Sequence, residues 1–135
     1  MSDTEQVVSD LLRSLREVDR ALATRRHELA RQDDWSEVTH ALDISEVTVG
    51  EESHLSFSGY LDGERKGVGG VGWIFELIRS GEGWVVERNL VLNANGKGYQ
   101  EVVAELPTVE CERTAELAAR LPGLLGELLR LPAPS

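Results

Sequence analysis

The chain is short of cysteine, lysine and aromatic residues, and each shortage narrows what it can be. Cys111 is the only cysteine among 135 residues, which excludes an internal disulfide and a multi-cysteine metal site. Lysine occurs only at 66 and 97, so the positive charge is almost all arginine, a coding bias that says little about activity. Aromatic residues make up 5% of the chain, and no basic patch interleaved with aromatics appears. Nowhere does an apolar run approach the roughly 20 residues of a membrane span. The first residues, MSDTEQVV, are acidic and polar, unlike a signal peptide, so cytoplasmic residence is expected.

What is abundant is acid. Asp and Glu number 24 against 14 Lys and Arg, a formal charge of −10, which repels phosphate backbones and anionic headgroups. Nucleic acid and membrane are therefore not expected partners, whereas a basic protein is drawn in by such a field. Hydrophobic residues at 41% and charged residues at 28% describe an ordinary folded domain with one core.

Periodicity predicts an α+β fold in a single domain, 1–135. Val8, Leu11, Leu15, Val18, Leu22 and Leu29 recur every three or four residues, with Ser2 and Glu5 placed as a capping box, so 4–32 is read as one long amphipathic helix. Its heptad seam is broken at Arg25. A helix of that length spans about 40 Å, so either the helix lies across its own sheet, or Val8, Leu11, Leu15, Val18 and Leu22 pack on a second copy and make a homodimer. Trp35, Val38 and Leu42 keep helical spacing, and Asp34 with Glu37 suits another cap, so a short helix is expected at 34–42. From Ile44 the period becomes two, giving an antiparallel meander across 44–106 with strands at 44–49, 54–61, 72–79, 84–92 and 99–106. A leucine stripe places a second helix at 114–131, kinked or restarted at Pro122, before a tail at 132–135.

The stretch GWIFELIRSGEGWVVERN, 72–89, reads as a hairpin whose register depends on its turn, since a three-residue loop at 80–82 would shift it and dissolve the pairing of Glu76 with Glu87. With Gly81-Glu82 as a two-residue loop, Arg79 pairs with Trp84, Leu77 with Val86, Phe75 with Arg88 and Trp73 with Leu90. Asn95-Gly96 as the next turn pairs Leu92 with Tyr99, Leu90 with Glu101 and Arg88 with Val103. One face then carries Trp73, Phe75, Leu77, Trp84, Val86, Leu90, Tyr99 and Val103, with Arg88 diagonal to Glu101 and Glu105. The other carries Ile74, Ile78, Val85, Val91, Val102, Ala104 and Leu106, with Glu76 opposite Glu87 and Asn89 beside them. Apolar residues on both faces imply a cover on each. The aromatic face is expected to be core, and Ile74, Glu76, Ile78, Val85, Glu87 and Asn89 a partner-binding face. Trp35, amid acidic residues, is expected to add a partner contact.

Other chemistry is sparse. GVGGVG at 67–72 matches a dinucleotide-binding pattern, but a strand rather than a helix follows, so it is read as a long mobile loop between strands. His27, His40 and His54 lack metal-ligand spacing, and no metal or cofactor is expected. Glu76 and Glu87 could act as a split acid and base, although no further catalytic group is fixed beside them.

GWIFELIRSGEGWVVE and RTAELAARLPGLLGELL, set behind an N-terminal helix in a small acidic chain, give a layout that resembles toxin-immunity proteins and secretion-chaperone-like domains. That resemblance implies a non-catalytic module binding a protein partner. The competing expectations are a small-ligand-binding domain or enzyme using Glu76 and Glu87, and a purely structural homodimer.

Overall fold

A computed structural model describes residues 3–92 and 100–134 of the chain. It contains α1 (Asp3–Ala30), β1 (Trp35–Val49), β2 (Glu52–Arg65), β3 (Gly69–Ser80), β4 (Gly83–Leu92), β5 (Glu101–Glu105), β6 (Val109–Cys111) and α2 (Thr114–Leu129). The strands form one antiparallel sheet in the order β1-β2-β3-β4-β5, with β6 on β4, so the α+β meander is as expected. Ser2 of the expected cap, the Asn95-Gly96 turn and Tyr99 lie outside the described residues.

Both helices lie on the aromatic face. Trp73 and Trp84, Leu77, Val86 and Leu90 are buried there with Leu11, Val18, Leu22 and Leu29 of α1 and Leu117, Leu121, Leu125 and Leu128 of α2. The apolar seam of α1 is thus used inside its own chain, the first of the two arrangements its length allowed. Arg25, which interrupts that seam, holds its guanidinium 5.9 Å from the Trp73 ring centre and reaches Glu28 at 3.1 Å. A cation over an indole face replaces the missing apolar contact.

α2 is one helix through Pro122, so the expected alternative of a restart there does not occur. Proline has no N–H to give the carbonyl four residues back, that of Ala118. The Ser14 hydroxyl, arriving from α1, donates to that oxygen at 2.5 Å. A serine buried on an otherwise apolar helix face therefore has a specific task.

The expected helix at 34–42 is strand instead. Val38 and Leu42 are four apart, a spacing that fits one helical turn and two strand repeats equally well. A bulge between Ser36 and Thr39, with Glu37 at φ 53°, inserts one extra residue and so returns Trp35 to the same face as Val38, His40 and Leu42. Asp34 does not cap a helix; its Oδ2 accepts from Arg65 Nε at 3.1 Å.

The β3–β4 hairpin has the expected register, Trp73 to Leu90 through Arg79 to Trp84, around Gly81-Glu82. A φ of +62° at Gly81 with a negative φ at Glu82 is the pattern of a type II′ turn, where glycine is favoured at the first position. β4 and β5 pair differently from expectation: Leu92 faces Glu101, Leu90 faces Ala104 and Asn89 faces Glu105, with an irregularity between Leu90 and Val91. Ala104 thereby joins the core side, and Val103 is pushed out to 39% exposure. Arg88, 2% exposed, is held by neither Glu101 nor Glu105. It donates to the carbonyls of Leu124 and Pro107 at 3.1 Å each and to Glu127 at 3.3 Å.

The glycine-rich segment is no long loop. β2 continues to Arg65 and β3 begins at Gly69, which leaves Lys66, Gly67 and Val68 as the connection. The end of the chain is anchored: Trp73 Nε1 donates to Leu131 O at 3.0 Å, and Arg65 to the carbonyls of Ala133 and Pro134.

Candidate functional site

The face of the sheet opposite the helices is organised in rows by the register. Ala41, Tyr60, Ile74 and Asn89 form one row across β1 to β4, and Ser45, Ser56, Ile78 and Val85 form another. Between them runs Asp43, Ser58, Glu76 and Glu87. The result is an acidic trough between two partly apolar ridges. Further carboxylates lie on the same face at Asp62, Glu64, Glu105 and Glu110, placed by their pairing with Gly72, Gly70, Asn89 and Val85. The strand arginines, Arg65, Arg79 and Arg88, all fall on the aromatic face, so no Lys or Arg occupies a paired position of the acidic one among the described residues.

Glu76 and Glu87 are direct cross-strand partners, as expected. Like charges at such a pair are destabilising by roughly 0.2–1 kcal/mol. Glu76 is eased by the buried Ser56, whose hydroxyl lies 3.3 Å from Oε1, while Glu87 is exposed. Ser58, Tyr60, Ile74, Glu76, Glu87 and Asn89 line a concavity of about 240 Å³. Asn89 Oδ1 is buried at its wall with no hydrogen-bond partner among the described residues. The concavity offers two carboxylates and the Asn89 amide oxygen as acceptors, with the Ser58 and Tyr60 hydroxyls able to donate or accept, beside an isoleucine, a set that suits a cationic head on an apolar stem. Nearby, burial pushes the Asp62 carboxyl above its ordinary 3.8, opposed by the smaller effect of the Thr39 hydroxyl, which donates to Oδ1 at 2.8 Å.

Ile74, Ile78 and Val85 are half-buried on this face, and Val102, beside Val91, is 53% exposed. No helix among the described residues covers them. Trp35 is placed elsewhere. It is 7% exposed, 5.9 Å from Trp73 between ring centres, with the Arg65 guanidinium over its outer side at 5.8 Å. The expectation of a Trp35 partner contact gives way to a core role, because the bulge turns the ring inward. Sequence reasoning also missed Asp43, Ser58 and Tyr60; the two-residue Gly50-Glu51 connection, with φ +65° at Gly50, would have set the β1–β2 register that aligns them.

Among the described residues there is no group of His, Cys, Asp and Glu arranged to hold a metal ion, and no helix long and apolar enough to cross a membrane. Cys111 is buried, and burial, with Glu116 adding to it, raises its thiol pKa. No family model matches the chain, and neither a curated protein nor a solved structure is detectably similar to it.

Proposed function

We propose that the chain is a non-catalytic interaction module, immunity-protein-like or secretion-chaperone-like, which binds a basic protein partner through the open face of its sheet. The observation that carries this reading is the segregation of charge: Asp43, Glu76 and Glu87 share one row with no Lys or Arg at a paired position of that face, set among half-buried aliphatic residues that no helix among the described residues covers. A partner's Arg or Lys would enter the concavity beside Glu76, Glu87 and Asn89, while Ile74, Ile78 and Val85 bury apolar surface around it. The wider acidic field would speed encounter and make it salt-sensitive.

Capture from extracts of the native host tests this. The wild-type chain should retain a basic protein in stoichiometric amount at low salt and release it as salt rises. Glu87→Lys should abolish capture while raising folding stability by roughly 0.2–1 kcal/mol in urea denaturation, since it removes a like-charge pair. A wild-type chain that retains no basic protein at low salt would overturn the reading.

A further inference from the structure

β1 is an edge strand: its outer side has no neighbour in the sheet among the described residues. From Thr39 to Val49 it pairs with β2 without a bulge, so a straight unpaired edge of about 33 Å stands open, the kind of surface that recruits another strand. Beside it, Val8, Leu12 and Leu15 of α1 and Leu42 and Ile44 of β1 line a groove of about 620 Å³. Leu12 and Ile44 are among the few large apolar residues left exposed, at 41% and 52%.

The geometry points to a second copy of this chain as the occupant, with two β1 strands pairing antiparallel about a two-fold axis at Ile44. An added strand must place its inward side chains in the groove under α1, and β1 itself brings two aliphatic ones, Leu42 and Ile44. With Ile44 on the axis, Leu42 faces the partner copy's position 46 and Asp43 faces position 45, a serine, so no like charges meet. Moving the axis to Asp43 brings two aspartates together, and moving it to Leu42 drives Glu46 into the bulge at 36–39.

Charge selects the same register. α1 runs antiparallel to β1, since Thr4 shares a cavity with Glu46 while Asp19 approaches His40 at 3.4 Å, and Arg16 lines the groove beside Leu42. Glu46 of one copy then arrives beneath Arg16 of the other, twice per dimer. Neither side chain has an ion pair or hydrogen bond within its own chain among the described residues. This interface is isologous, as a two-fold dimer requires, and it leaves the acidic face open on both copies.

Light scattering on the intact protein, from low micromolar to near-millimolar concentration, gives the test. The wild-type mass should be twice 14.9 kDa. Ile44→Asp should give monomer with an unchanged circular dichroism spectrum, because the side chain it replaces is half exposed. Arg16→Glu and Glu46→Arg should each weaken the dimer about tenfold, and the two together should restore it. A wild-type monomer throughout the range overturns the proposal, as does a dimer indifferent to Ile44→Asp or a charge-swapped pair that does not recover. Both charged residues are exposed, so that arm remains decisive even if Ile44→Asp fails to fold.

Discussion

Leu77 and Ile78 are neighbours in β3, similar in volume and opposite in circumstance. Leu77 sits between Phe57 and Val86 with no exposed surface; Ile78 sits between Ser56 and Val85, half-buried on the face without helices. The same strands therefore make one face that is needed for folding and another that folding tolerates. Burial of an aliphatic side chain contributes about 1.5–3 kcal/mol, and only the aromatic face collects it in full. Carboxylates facing one another with no cation between them on the other face oppose folding slightly, which is the behaviour of a surface shaped by something other than stability.

The comparison breaks or holds first at that pair of residues. In urea denaturation Leu77→Ala should cost about 2–5 kcal/mol, and Ile78→Ala about 1 kcal/mol or less. Equal losses would mean that the open face is a second core. The dependence of the aromatic face on its helices is sharpened by Ser14→Ala, expected to cost about 1 kcal/mol because it strips the partly buried Ala118 carbonyl of its donor. Pro122→Ala supplies a backbone N–H to the same oxygen, so in that background Ser14→Ala should cost far less; a double-mutant cycle with no coupling would refute the assignment.

The smallest effect concerns Asp62 on the acidic face. Its pKa is raised in the folded state, so the folded protein holds the proton more tightly than the unfolded chain. Whatever stability this group contributes is present below about pH 3.8 and falls away as pH rises through the raised value. Asp62→Asn should accordingly be slightly more stable than wild type at pH 7, with the gap closing on acidification toward the ordinary carboxylate range. A gap that widens on acidification would show that the carboxylate is stabilised where it lies.

Where period and turn chemistry agree, the residues alone specify the structure. The β3–β4 hairpin is legible because strict alternation meets a two-residue turn with glycine first, and its register delivers the Glu76–Glu87 pair. β1 is not, because Val38 and Leu42 satisfy both periods and the bulge at Glu37 reverses which face Trp35 occupies. The β4–β5 pairing slips at an irregularity that leaves no compositional trace, and β6 is only three residues long. Arg88 is the clearest case of missing information. Two of its acceptors are backbone carbonyls, and every residue carries one of those, so side-chain identities could not point to Leu124 or Pro107. Half of the acidic row, Asp43 and Ser58, needed three strands in register before it could be seen.

With the strand arginines on one side of the sheet and a row of carboxylates on the other, the molecule carries a permanent electric dipole across the sheet. In the field of a positively charged protein it experiences a torque as well as an attraction. It would turn its trough toward the visitor while the two are still separated by several layers of water, so that the first collision already has the orientation docking needs.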